Sequence, residues 1–102
     1  MKPVIALTAA SLFAFAAPSY ASLEMARAKN CMACHAVDRR MVGPSFRDIA
    51  ARYTGQADAA DRLTQKILRG STGVWGPVPM PPSANVSEAE ARQLATWVMT
   101  VR

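Results

Sequence analysis

The stretch NCMACHAV, residues 30–37, holds both cysteines and the only histidine of the 102-residue chain. Two residues separate Cys31 from Cys34, and His35 follows the second cysteine directly. Residues of these types serve in thiol redox pairs, in metal sites, or at the point where a larger cofactor is attached. The fold of so short a chain depends on which of the three applies.

The spacing matches the C-x-x-C-H signature of covalent haem attachment. Two thiols three positions apart can each bond one vinyl group of the porphyrin, and the imidazole that follows can then reach the iron. The other ring nitrogen of such a histidine needs an acceptor that fixes its tautomer, and we expect the carbonyl of Pro44, after a turn at Gly43, to provide it. The sequence therefore predicts one haem c, attached at Cys31 and Cys34 and bound through its iron to His35.

Three other interpretations have less support. A zinc site needs about four ligands, and the chain has no further cysteine or histidine to supply them. A thioredoxin-like dithiol belongs in a βαβ context, whereas no part of this sequence alternates convincingly with the two-residue period of a strand. A structural disulfide across two intervening residues would close a very small loop and stabilise little.

With a haem bound, the sixth iron position determines the chemistry, and methionine is the remaining candidate for it. Five methionines follow residue 21: Met25, Met32, Met41, Met80 and Met99. Met80 lies within GPVPMPP, where prolines stiffen the backbone and lower the entropy lost on fixing a thioether bond. The others lie in predicted helices, within the attachment motif, or too near His35 to reach the opposite haem face. We therefore predict Met80 as the second axial ligand.

Residues 1–21 have the pattern of a secretory signal peptide. Lys2 precedes the apolar run VIALTAASLFAFAA, and Ser19 and Ala21 are small residues at the positions that a signal peptidase reads. We expect cleavage after Ala21, export to the periplasm and no membrane insertion of the mature chain; a retained anchor is the alternative. The remaining domain, residues 22–102, is short enough to bury only about 60% of its unfolded surface, so a bound group is expected to complete its core.

The charge balance favours acidic partners. Without Lys2, 11 basic residues stand against 7 acidic ones, a formal charge of +4. The basic residues are scattered, with no run and few aromatic residues among them, so we predict no binding to nucleic acid.

Helical patterns recur along the domain and predict an all-α fold of four to five short helices. The predicted helices span residues 23–32, 46–54 and 59–69, and a fourth starts at residue 88 with an apolar stripe that reaches residue 101. Their predicted N-caps are Ser22, Ser45, Asp58 and Ser87. Between the last two helices, residues 70–86 contain three glycines and four prolines, which indicates a packed, functional loop.

Three segments together, CMACHAVDRRMVGPSF, GSTGVWGPVPMPP and SEAEARQLATWV, resemble the small class I c-type cytochromes of bacteria, most closely the cytochrome c-551 group. The resemblance implies a cytochrome c fold wrapped around one covalently attached haem, with the first and last helices crossing and with His35 and Met80 as axial ligands. It further implies that Trp75 and Lys66 contact a haem propionate and that Pro44 accepts the hydrogen bond from His35. The implied wall of the haem pocket includes Val42, Phe46, Leu63, Ile67, Leu94 and Val98.

The chain departs from the pattern of this group at two places. Asn30 replaces the usual glycine before the first cysteine, and Ala26 replaces an aromatic residue, so we expect a looser helix crossing beside Trp97. The segment after Met80 is also one residue longer than usual. This leaves open whether Ser83 or Asn85 donates a hydrogen bond to the methionine sulfur.

The resemblance implies a monomeric periplasmic electron carrier and not an enzyme, because an iron with both axial positions filled has no open position for a substrate. A membrane cytochrome complex is the implied donor, and a nitrite reductase, oxidase or peroxidase the implied acceptor. We expect electrons to pass through an exposed apolar patch formed by Met32, Pro77, Val78, Pro81 and Pro82. The alternatives are a haem-based sensor or peroxidatic catalyst with a labile Met80, and an exported dithiol oxidant.

Overall fold

The fold is described from a computed structural model that places residues 1–11 and 22–102. The expected cleavage site at Ala21 lies outside these residues. The described helices are α1 (Leu23–Ala28), α2 (Phe46–Tyr53), α3 (Ala59–Arg69) and α4 (Glu88–Val98), with one 3₁₀ turn at Cys31–Ala33. Within the same residues, strand pairing is limited to one bridge, and no helix is long and apolar enough to cross a membrane. The all-α prediction is confirmed.

Serine hydroxyls begin the first two helices as the sequence predicts. The Ser22 hydroxyl accepts a hydrogen bond from the N–H of Met25 at 3.4 Å, and the Ser45 hydroxyl accepts one from the N–H of Asp48 at 3.0 Å. The predicted cap of α3 is wrong. Asp58 has φ −97° and ψ 10°, a turn conformation in place of the extended one of a capping residue, and its side chain makes no capping bond.

The first helix is shorter than predicted because the chain turns sharply at Asn30. This residue has φ 65° and ψ 17°, in the left-handed region, and the 3₁₀ turn with the two cysteines begins directly after it. Left-handed backbone costs most L-residues about 1–2 kcal/mol, whereas glycine adopts it freely and asparagine tolerates it. Asparagine can therefore occupy a position where the resembling cytochromes usually have glycine.

Replacing Asn30 tests this account of the turn. We expect Asn30→Ala to lower the free energy of unfolding by about 1 kcal/mol, because alanine resists the left-handed conformation, and Asn30→Gly to leave it nearly unchanged. Urea titration of the haem-containing protein measures both. Each variant removes the same side chain, so equal losses in the two would show that a side-chain contact, not the backbone, is what asparagine supplies.

Glu90, in the first turn of α4, binds Lys29, the residue that follows α1. Its Oε1 accepts a hydrogen bond from the N–H of Ser87 at 3.0 Å, while the Ser87 hydroxyl accepts one from the N–H of Glu90 at 3.1 Å, which completes the predicted capping box. Its Oε2 lies 3.0 Å from Nζ of Lys29, which also donates to the carbonyl of Asn85. The pKa of Glu90 lies below its ordinary value, mainly because the N–H of Ser87 donates to its carboxylate and secondly because Lys29 does.

This lowered pKa predicts a pH-dependent contribution to stability. The Glu90 carboxylate stabilises the fold above its unfolded pKa of about 4.3, and the stabilisation is lost as the pH falls through the lower folded value. We expect Glu90→Gln to unfold at lower urea concentration than the unchanged protein at pH 7, with the difference vanishing in strongly acidic buffer. Glu88→Gln, in the same helical turn, is the matched control. A difference that persisted at acidic pH would show that the carboxylate charge is not its cause.

The core lies around α4, which packs along α3 and also contacts α2. Ala26 of α1 is completely buried, as are Ala91 and Ala95 of α4, and all three belong to one cluster of buried residues. The small side chain of Ala26 therefore leaves no exposed gap at its own position. Trp97 meets an aromatic partner in Phe46 instead, with ring centroids 5.2 Å apart and planes at 73°.

The long loop after α3 is held at both ends. Gly70 ends α3 with φ 76°, and a Cβ placed on it would lie 2.5 Å from the carbonyl oxygen of Met80. The backbones of Ser71 and Met80 exchange two hydrogen bonds, of 3.0 and 2.9 Å. Further along, the N–H of Ser83 donates to the carbonyl of Ile67 at 2.9 Å. Met80 is thereby fixed against the end of α3.

Candidate haem-binding site

A cleft of about 1100 Å³, which includes its opening to solvent, is formed by all four helices together with the turn at residues 31–35 and the loop at residues 71–81. The structure brings the predicted site residues together, since each of them lines this cleft: Cys31, Cys34, His35, Pro44, Lys66, Trp75 and Met80. The predicted wall residues line it as well: Val42, Phe46, Leu63, Ile67, Leu94 and Val98. The cleft is mainly apolar.

His35 is only 9% exposed, and its ring has a fixed tautomer. Its Nδ1 lies 2.7 Å from the carbonyl oxygen of Pro44. Because a carbonyl can only accept, Nδ1 carries the proton, and Nε2 is left with a free lone pair. An imidazole in this tautomer can bind a metal ion through Nε2, and the hydrogen bond at Nδ1 holds the ring in place.

Gly43 and Phe46 both lie against the His35 ring. A Cβ on Gly43 would be 2.7 Å from Cε1 and 3.0 Å from Nδ1 of the imidazole, closer than real carbon atoms approach. Phe46 stacks on the imidazole with centroids 5.3 Å apart and planes at 24°. The sequence predicted that Gly43 turns the chain. The structure gives it a different reason to be glycine, because the histidine ring occupies the space that a side chain would need.

The two cysteines are half-buried at the wall of the cleft and are not joined to each other by a disulfide. The 3₁₀ turn fixes their spacing, since the N–H groups of Cys34 and His35 both donate to the carbonyl of Cys31, at 3.2 and 3.0 Å. Burial raises the pKa of the Cys31 thiol, an effect that a hydrogen bond with its own backbone partly offsets. Burial therefore disfavours the thiolate form of Cys31.

The two candidate hydrogen-bond donors to the Met80 sulfur lie in different surroundings. Ser83 is half-buried, whereas Asn85 is exposed and its carbonyl accepts a hydrogen bond from Lys29. Within the described residues neither side chain donates to the sulfur of Met80. Of the two side chains, Ser83 is the less exposed.

Sequence reasoning missed two arginines that hold the loop at residues 71–80. Nη2 of Arg40 donates to the carbonyl of Trp75 at 3.1 Å, and Nη1 of Arg52 donates to the carbonyl of Val74 at 2.7 Å. The guanidinium carbon of Arg52 also lies 4.5 Å from the centroid of the Trp75 indole. No local pattern distinguishes these arginines from the other scattered basic residues, because their partners are more than twenty positions away in the sequence.

Exposed apolar residues surround the mouth of the cleft. Val42 is 52% exposed and Val78 is 56% exposed, and the exposed Pro79 and Pro81 also line the opening. We refer to these four residues as the mouth patch. Of the patch predicted from the sequence, four members are exposed: Pro77, Val78, Pro81 and Pro82. The fifth member, Met32, is less exposed than predicted, because it is half-buried and packs against the core.

The profile of the cytochrome c family matches residues 24–102, which includes every residue of the cleft. The chain belongs to the cytochrome c family. Within this family it is a small class I c-type cytochrome, as its relatives show.

Two curated cytochromes and one crystal structure illustrate the similarity. Cytochrome c-552 of Nitrosomonas europaea is 48% identical over 94 residues, which cover 92% of this chain and 91% of that protein. Cytochrome c-551 of Pseudomonas aeruginosa is 57% identical over 72 residues, which cover 71% of this chain and 68% of that protein. The crystal structure of wild-type N. europaea cytochrome c552 matches with a TM-score of 0.77 at 49% identity, covering 79% of this chain and 100% of that chain.

The residues of the cleft fit the one covalently attached haem c that cytochromes of this family bind. Two cysteines three positions apart stand at its wall, an imidazole with a fixed tautomer follows them, and most of the remaining lining is apolar, as the faces of a porphyrin require. A bound haem c supplies one-electron redox chemistry. Small c-type cytochromes are accordingly electron-transfer proteins.

Proposed function

We propose that this cytochrome is a periplasmic one-electron shuttle whose haem iron is bound by His35 and Met80. The observation that carries the proposal is that both residues line one apolar cleft from rigid positions. The imidazole is held by Pro44, Gly43 and Phe46, and the backbone of Met80 is paired with Ser71. An imidazole and a thioether held in this way could fill both axial positions of a haem iron.

In this proposal Cys31 and Cys34 form the thioether bonds, and Lys66 and Trp75 face the haem propionates. Lys66 is a half-buried cation on α3 at the edge of the cleft, and Trp75 offers an indole N–H, which can only donate. Both groups are suited to a carboxylate of the cofactor. Pro44 acts through His35, because its carbonyl fixes which ring nitrogen is free for the iron.

Two filled axial positions favour electron transfer over catalysis. An iron with both positions occupied has no open site for a substrate or a gas, so we propose that the protein is not an enzyme. A methionine ligand and an apolar surrounding raise the reduction potential. Rigid support on both sides of the cleft keeps the geometry similar in the two oxidation states.

The mouth patch is the proposed route for electrons. It is an apolar surface of four residues at the opening of the cleft, and transient redox contacts are small. The net positive charge of the chain favours fast, salt-sensitive association with acidic partners. We propose a membrane cytochrome complex as donor and a terminal nitrite reductase, oxidase or peroxidase as acceptor, both meeting a monomer released from residues 1–21 by signal cleavage.

The optical spectrum of the ferric protein tests the axial ligands. We expect a thioether-to-iron charge-transfer band near neutral pH that disappears in Met80→Ala and persists in Met41→Ala, a variant of the exposed methionine beside the mouth patch. A band that survived in Met80→Ala would disprove the assignment of the ligand.

The same preparation separates the other functional classes. Absence of the band in the unchanged protein, together with ready binding of CO to the ferrous form, would favour a sensor or peroxidatic catalyst. A colourless protein with two titratable thiols would favour a dithiol oxidant.

A further inference from the structure

The loop between Ser71 and Met80 has few bonds of its own. The two backbone hydrogen bonds of the Ser71 and Met80 pair close it, but among the described residues no backbone-to-backbone hydrogen bond involves positions 72–79. Gly73 and Gly76 both have positive φ values, of 75° and 115°. A segment with two such glycines and no internal hydrogen bonds needs external contacts to keep one conformation.

Two arginines from outside the loop supply these contacts. Arg40 binds the carbonyl of Trp75, and Arg52 binds the carbonyl of Val74 while its guanidinium covers the Trp75 ring. Among the described residues these are the only hydrogen bonds that the loop interior makes with the rest of the protein. The arginines therefore hold the middle of the loop, and the Ser71 and Met80 pair holds its ends.

We infer that Arg52, assisted by Arg40, is a positioning residue for Met80: by anchoring the loop at Val74 and Trp75, it keeps the methionine thioether in the cleft. This inference rests on the proposed ligation of the iron by Met80. Arg52 lies in the last turn of α2 and does not line the cleft, so it acts through the loop and not by contact with the haem.

The geometry at Arg52 requires a guanidinium. One Nη donates to the Val74 carbonyl, and the planar group lies over the indole at the same time. A lysine ammonium is a compact point charge that can make either contact but lacks a flat surface to make both. Arg52→Lys therefore keeps the charge and loses part of the anchoring, which separates positioning from a simple electrostatic effect on the iron.

Displacement of Met80 by imidazole measures the anchoring directly. Added imidazole binds ferric iron only in molecules whose methionine has left it, so its apparent affinity rises with the population of the open loop. We expect Arg52→Gln to raise the imidazole affinity about tenfold, equivalent to about 1.4 kcal/mol of loop opening. Arg52→Lys should give a smaller increase.

Arg47→Gln is the matched control. Arg47 lies on the same helix, is exposed, and makes no side-chain hydrogen bond or ion pair within the described residues. The Arg47→Gln variant removes the same charge and no hydrogen bond to the loop. Its affinity for imidazole should therefore equal that of the unchanged protein. Equal affinities in Arg52→Gln and Arg47→Gln would overturn the inference.

Hydrogen exchange gives a second readout that involves no added ligand. The amide of Met80 donates to the Ser71 carbonyl at 2.9 Å, and its exchange should become faster in Arg52→Gln but not in Arg47→Gln. If the unchanged protein lacked the thioether charge-transfer band, the proposed function would fail, and the inference with it. If the band were present and both variants behaved alike, only the role of Arg52 would be disproved.

Discussion

A chain of residues 22–102 that carries Cys31→Ala and Cys34→Ala, purified without haem, is expected to show little helix and no cooperative thermal transition. Its four α-helices have 6, 8, 11 and 11 residues. Isolated helices shorter than about 12–15 residues are unstable in water, so each depends on tertiary packing. Many of the apolar side chains on these helices line the cleft.

The cleft walls explain the size of this effect. All four helices contribute residues to it, and without a haem these walls have no packing partner on the side of the cleft. Removing the packing of one large core side chain costs about 2–5 kcal/mol, whereas a domain of this length has a net stability of roughly 4–12 kcal/mol. Loss of packing at several wall residues therefore exceeds the whole stability.

Far-ultraviolet circular dichroism as a function of temperature measures this result. Haem added to the double variant is the informative control, because His35 and the apolar walls remain and should recover part of the helix signal. A cooperative transition with native helix content in the haem-free chain would show that the polypeptide completes its own core.

Replacing Gly43 by alanine is expected to displace the His35 ring. The new Cβ would stand 2.7 Å from Cε1, while the Pro44 hydrogen bond and Phe46 restrict movement of the imidazole. Overpacking of this kind costs about 1–3 kcal/mol. Unlike most glycines in this chain, Gly43 does not have a positive φ, so the effect comes from the contact alone.

Gly55→Ala provides the comparison for Gly43→Ala. Gly55 has φ 81° and nothing within 4 Å of its added Cβ, so its replacement costs about 1–2 kcal/mol through the backbone alone. Urea titration should show a loss in both variants, whereas the haem spectrum and the yield of haem-containing protein should change only in Gly43→Ala. An unchanged spectrum in Gly43→Ala would mean that the ring can move without consequence.

Local chemistry made much of the fold predictable. The capping box at Ser87 and Glu90 and the serine caps of α1 and α2 depend on residues three positions apart, and they form as the sequence indicates. The Asp58 cap failed because a turn conformation already led into α3, and a sequence pattern does not reveal that φ and ψ. The boundary of α1 failed for a similar reason, the left-handed backbone of Asn30.

Tertiary contacts account for what the sequence could not predict in the cleft. The C-x-x-C-H spacing and the prolines around Met80 are local signals, and the residues that carry them do meet in one cleft. The pairing of Arg52 with Trp75 and the approach of Gly43 to His35 depend on how distant segments come together. Met32 is less exposed than predicted because it packs against the core, a contact with distant residues that its local sequence does not reveal.

The hydrogen bond from Ser83 to Ile67 has a consequence for how this fold accommodates insertions. It anchors the chain to α3 three residues after Met80, within the segment PPSANVS. The turn that follows, in which the N–H of Val86 donates to the carbonyl of Ser83 at 3.3 Å, can absorb a change in length without moving the methionine. A change in the length of residues 84–86 could therefore be taken up in that turn while the backbone of Met80 stays paired with Ser71.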